Sequence, residues 1–259
     1  MGMLKTQMKW ELNDPLRLTV FLFGFLMAGL AFMRDVFGMG AARILSPFSP
    51  ESASYYATTI PKLALPTISQ EAYSVLAFVS VMLSSLSIRG EIDSLAALTV
   101  YSLQMRKWKL FIVKFASTFF LALISFVLPY FLALGYTLSG SPSLLAGILG
   151  KGIWINVLTF FLMAVFYTVS VSLFVAVLSP NSFAAILGGL AVLYVPFILE
   201  ISNLPPLSIS SAMSSYLTAA AYRMRYAGSP YVGVIQVGFF VPSALLAAST
   251  VLSERRDAR

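Results

Sequence analysis

The chain has 259 residues, of which 59% are hydrophobic and 10% charged, with a mean hydropathy of +0.87; a water-soluble domain carries nearer a quarter of charged residues, so this composition specifies a polytopic membrane protein. It contains no cysteine and no histidine, which excludes a disulfide framework, a thiol nucleophile, a Cys/His metal site and the usual imidazole base. A formal net charge of +7 would point a soluble chain toward nucleic acid, but in an apolar chain the bases fix topology and no nucleic-acid partner is expected.

The first element, residues 1–15, reads MGMLKTQMKWELNDP. Leu4, Met8 and Leu12 recur at four-residue spacing with Lys5 and Lys9 beside them, which predicts a short amphipathic element at the membrane interface. Trp10, Glu11, Asn13, Asp14 and Pro15 precede the first apolar run without a small-residue cleavage signal after it, so a signal peptide is not expected. Six apolar stretches follow, at 16–33, 72–88, 110–136, 153–178, 183–201 and 232–252. Each is continuously apolar, which favours helices over the alternating strands of a membrane barrel. The expectation is one all-α transmembrane domain over 1–259 with six membrane helices.

Placing the N-terminus in the cytoplasm puts eleven bases on the inner side: Lys5, Lys9, Arg17, Arg89, Arg106, Lys107, Lys109, Lys114, Arg255, Arg256 and Arg259. Six remain outside: Arg34, Arg43, Lys62, Lys151, Arg223 and Arg225. The positive-inside rule favours that orientation, with both termini cytoplasmic and the chain multi-pass in the cell membrane. The outer connections at 34–71 and 202–231 are turn-rich. The second contains the paired prolines Pro205 and Pro206, which argue against one long helix, and then a semi-apolar SAMSSYLTAAAY segment. That segment is either re-entrant or interface-lying, or else a surface cap.

Between spans two and three lies a longer connection than a simple turn requires, residues 89–109. No proline or glycine falls between Glu91 and Leu103, and Ile92, Leu95, Ala96, Thr99 and Leu103 share a face at helical spacing, with Glu91 and Asp93 at the helix start where the dipole favours acids. Arg106, Lys107 and Lys109 follow, with Trp108 among them; these bases and the indole mark re-entry into the bilayer, with Lys114 early in the third span.

This order resembles the permease subunits of type 2 ATP-binding-cassette transporters, whose first cytoplasmic loop carries a leading glutamate, a leucine region, an arginine and a following lysine. Glu91, Leu95, Arg106 and Lys114 stand at those places, while Ser94, Leu103 and Val113 replace the family's usual glycine, proline and glycine. LSPNSFAAILGGL, residues 178–190, is similar to the polar turn between the family's fourth and fifth spans. The resemblance implies that 89–109 is a coupling helix docking on a separate nucleotide-binding ATPase subunit. Its contact residues would be Glu91, Asp93 and Arg106, with Leu95 and Leu98 as buried anchors. It further implies a second permease copy, and ATP and Mg held by the partner subunit with no cofactor in this chain.

The chain has no phosphate-binding loop of its own: AGILGKG at 146–152 lacks the leading glycine and the hydroxyl residue. No ionisable residue is expected near mid-membrane to harness an ion gradient, and no paired carboxylates or serine–base arrangement supports an enzyme. Asn156, Thr168 and Ser172 in the fourth span and Gln236 in the sixth are either interhelical hydrogen-bonding groups or a weakly polar translocation lining. Ala184, Gly188 and Gly189 permit close helix approach, within the subunit or across a dimer. Without deep charges, an apolar or amphipathic exported substrate is favoured over a compact ion. The competing expectation is a membrane interaction or assembly protein that moves nothing.

Overall fold

The computed structural model describes residues 2–44, 68–93, 107–137, 153–221 and 235–255, and among the described residues the chain is all helical. The first helix, α1 (Gly2–Leu12), reverses into α2 (Pro15–Ile44) at Asp14. The Asp14 carboxylate accepts the Leu16 N–H at 3.1 Å and its carbonyl accepts the Leu18 N–H at 2.9 Å. Pro15 fills the first helical position, where a missing N–H costs nothing. Helix α3 (Gln70–Ser85) is capped by Ser69, whose hydroxyl accepts the Ala72 N–H at 3.2 Å. It widens into a π-helical turn, Leu86–Gly90, and ends in Glu91–Asp93. Then come α4 (Lys107–Thr137), α5 (Ile153–Leu178), α6 (Ser182–Ile198), α7 (Leu207–Ala221) and α8 (Val241–Arg255), the last entered through a second π-helical turn, Gln236–Phe240. Pro129 and Pro196 both sit inside helices that continue through them.

Among the described residues five stretches are long and apolar enough to cross a membrane: Pro15–Arg34, Gln70–Asp93, Lys107–Tyr136, Trp154–Leu178 and Gln236–Glu254. By length and composition the chain is a multi-pass membrane protein. The remaining expected span, 183–201, corresponds to α6, which is apolar but only 17 residues long, about 25 Å against a hydrocarbon core of about 30 Å. Its end is set by backbone geometry. Glu200 takes φ 53°, its N–H meets the Phe197 carbonyl at 3.2 Å, and the Ile201 N–H meets the Pro196 carbonyl at 2.9 Å. These are the two bonds of a Schellman termination, with a glutamate where glycine is usual.

Helix α5 is the axis of the bundle, packing on α3, α4, α6, α7 and α8. Of its most apolar stretch 67% is buried, against 28% for α2 and 17% for the α8 span, so those two helices are peripheral. One part of the hydrophobic core lies among α2, α4 and α5, where the Tyr130 ring meets Phe161 at 4.6 Å and Phe32 meets Phe126 at 5.1 Å between centroids, in tilted and edge-on arrangements that suit aromatic quadrupoles. Another part of the same core depends on close backbone approach. A Cβ on Gly24 would lie 2.4 Å from Val79, and one on Gly189 would lie 3.0 Å from Val81, so α2 and α6 each meet α3 through a missing side chain. Gly189 of α6 is thus used within the subunit. Helix α7, the element expected after the paired prolines, buries Ile209, Ala212 and Met213, and its Tyr216 ring lies 6.1 Å from Phe160 of α5.

Candidate functional site

The end of the bundle that holds α1 contains a buried ionic joint. Arg17, three residues into α2, is 1% exposed. It lies within an apolar run, so its guanidinium needs an anion in place of water. The reversal at Asn13–Asp14 supplies one: Glu11 of α1 is folded back onto Arg17, Nη1 pairing with the carboxylate and donating to the Glu11 carbonyl at 3.1 Å. On the other side Nη2 donates to Thr118 Oγ1 at 2.8 Å and Ser117 Oγ at 3.2 Å, both on α4. Gln7 Nε2 and Ser87 Oγ each approach the Glu11 carboxylate at 3.4 Å.

Lys114 of α4 completes the joint. It is 3% exposed, pairs with Glu91 at 2.5 Å and Glu11 at 3.5 Å, and donates to the backbone carbonyl of Ser87. That carbonyl lies inside the π-helical turn Leu86–Gly90, where the wider winding disrupts the regular ladder and leaves acceptors for a side chain. Two acids and two bases therefore balance, the condition under which buried charge is tolerated. Burial alone would push the Glu11 carboxyl up, but the Lys114 ammonium and then the Arg17 guanidinium overcome it and hold that carboxyl below its ordinary range.

The same turn grips the corner between α5 and α6. Arg89, 3% exposed, donates from Nε to the Ala176 carbonyl at 2.9 Å and from Nη2 to the Val177 carbonyl at 3.1 Å. It thereby puts a cation on the open carbonyls at the end of α5. Asp93 accepts the Ser182 N–H at 2.8 Å and the Ser182 hydroxyl, an acid at the first turn of α6. Asn181 caps the same helix by accepting the Ala184 N–H at 2.8 Å, and Ser85 Oγ donates to the Ser182 carbonyl at 3.1 Å. The polar SPNS corner, 179–182, is thus the socket into which the end of α3 fits.

Of the residues expected to act in coupling, Glu91 and Asp93 lie in this joint, and Leu95, Leu98 and Arg106 lie outside the described residues. Lys107 and Trp108 are half-buried and Lys109 is exposed at the start of α4, whereas Lys114 turns inward to the acids. Asn156 donates to Tyr216 Oη at 2.6 Å. The Thr168 hydroxyl lies 3.0 Å from Ser80 Oγ and so serves the α3–α5 contact, whereas Ser172 donates to the Thr168 carbonyl of its own helix at 2.6 Å. Gln236 is exposed. Asn156 and Ser172 stand about 24 Å apart along α5. Sequence reasoning missed Glu11, Arg17, Ser87 and Arg89 as site residues. The available signal was two bases set inside apolar runs, Arg17 and Lys114, with two acids flanking such runs, Glu11 and Glu91. Among the described residues no group of His, Cys, Asp and Glu side chains is arranged to hold a metal. No family model matches the chain, and no curated protein or solved structure matches it.

Proposed function

We propose that this chain is the membrane-spanning permease subunit of an ATP-binding-cassette exporter, moving an apolar or amphipathic substrate with energy from a separate nucleotide-binding ATPase subunit. In this reading α6 is the fifth of six spans, both termini face the cytoplasm, and two permease copies share the complex with two ATPase copies. ATP and Mg belong to the partner.

One observation carries the reading: the chain enters the 94–106 segment from a turn bonded to four other helices. Lys114 ties it to α4, Glu11 to α1, and Arg89 and Asp93 to the α5–α6 corner. A connector that only joins two spans needs no such anchorage. A lever that passes a partner's motion into the bundle does, because displacement travels only through packed and bonded elements. The resemblance in the 89–109 strip assigns that partner as an ATPase.

Reconstituting the chain with the ATPase that copurifies with it tests the assignment. Replacing Glu91 and Arg106 together is expected to leave the permease folded while reducing ATPase association and uncoupling hydrolysis from substrate movement. Association and transport unchanged by that double substitution would contradict the proposal. A chain that holds partners without any nucleotide-dependent movement would be an assembly protein instead.

A further inference from the structure

A second feature at the same end of the bundle is unconnected with the ionic joint. Between α1 and the first turns of α4 lies a groove of about 740 Å³ whose walls are almost wholly apolar, formed by Met8, Leu12, Ile112 and the Trp108 indole. Its rim carries Lys9 and Lys109, and the Lys109 ammonium sits 5.5 Å from the centre of the Trp108 ring. Both lysines are exposed, and among the described residues neither is drawn into a salt bridge. Glu11 and Gln7, on the other side of α1, are buried beneath it, so the groove face of α1 is the one left for lipid.

We propose that this groove binds one anionic glycerophospholipid of the surrounding membrane, with an acyl chain along Met8, Leu12 and Ile112 and the phosphate between Lys9 and Lys109. The place fits: the spans begin at Pro15 and Lys107, so both lysines stand at headgroup depth and the apolar walls extend below them. The charge fits as well, since two cations above an apolar cleft between helices complement a phosphate above its own hydrocarbon. A zwitterionic lipid fills the cleft equally but brings its own ammonium to a rim already doubly positive. The bound lipid joins α1 to α4 on the outer side of the Glu11–Arg17 pair. This inference rests on the membrane placement alone and not on the ATPase reading.

The test uses the full chain carrying W10F and W154F, leaving Trp108 as the sole tryptophan of the three, in nanodiscs of unlabelled phosphatidylcholine. Increasing fractions of brominated phosphatidylglycerol or brominated phosphatidylcholine are included, and tryptophan quenching is read. Half-maximal quenching is expected at a mole fraction about twenty-five-fold lower for phosphatidylglycerol, since each of the two lysines beside an anionic headgroup is worth about a factor of five. K9Q/K109Q should erase the difference and K9R/K109R should keep it. Equal quenching by the two lipids, or a preference that survives K9Q/K109Q, overturns the proposal. Absence of quenching by either lipid overturns it too, because the groove is then covered by protein.

Discussion

Arg17 fixes the behaviour of the joint at the scale of single residues, because its guanidinium is buried and Glu11 is its ionic partner; both side chains are 2% exposed. Removing one member leaves the other charge uncompensated, so Glu11→Gln is expected to cost about 3–5 kcal/mol. The double variant Glu11→Gln, Arg17→Met should recover much of that loss in a thermal unfolding cycle followed by tryptophan fluorescence in detergent. Equal stability of Glu11→Gln and the parent would show that the pair contributes nothing. The acid limb follows from the same geometry. The folded Glu11 carboxyl titrates below its ordinary 4.5, so its stabilisation is fully present above about that pH and is lost as pH falls through the depressed folded value. Glu11→Gln should flatten this acid-induced loss; Arg17, Lys114 and Glu91 are the charged groups facing it.

At the scale of elements, the helix ends and contacts state their own tests. Glu200 holds a left-handed conformation that ends α6, a conformation costing a non-glycine residue about 1–2 kcal/mol. Glu200→Gly is therefore expected to raise stability by up to about 1 kcal/mol after glycine's own entropy is counted, readable as a higher unfolding temperature. Gly24→Ala should do the opposite, losing about 1–3 kcal/mol, because its Cβ would meet Val79 at 2.4 Å. A cycle with Val79→Ala should show the two changes coupling favourably, while additive losses would mean that α2 and α3 separate freely there. Helix existence was legible in the sequence because continuous apolar runs announce it, yet the fifth expected span overran α6 by the residues Leu199–Ile201, whose hydropathy continues while the backbone has already turned. The candidate site was legible only at Glu91, Asp93 and Lys114. Their partners come from α1, α2 and the α5–α6 corner, and a pairing made through space leaves no spacing to read. The π-helical turns, Leu86–Gly90 and Gln236–Phe240, were illegible for a related reason, since one extra residue per turn barely alters an apolar pattern.

For the whole molecule, the buried joint changes how the charges are counted. Arg17 and Lys114 are neutralised inside the protein by Glu11 and Glu91, so eleven inner bases less these two leaves nine against six, and the bias toward a cytoplasmic N-terminus survives. The chain contains no cysteine, so single cysteines can be placed at Trp10, Arg34 and Glu254, all exposed. An impermeant maleimide is expected to label positions 10 and 254 from one side of the membrane and position 34 from the other; labelling of 10 and 254 from opposite sides would refute an even number of crossings. The central claim, that this bundle is moved by a partner's ATP hydrolysis, is tested most directly by native mass spectrometry of the chain affinity-purified from its own membranes. The account predicts a complex of two permease copies with two copies of a nucleotide-binding ATPase, and the chain recovered consistently without any ATPase would contradict it.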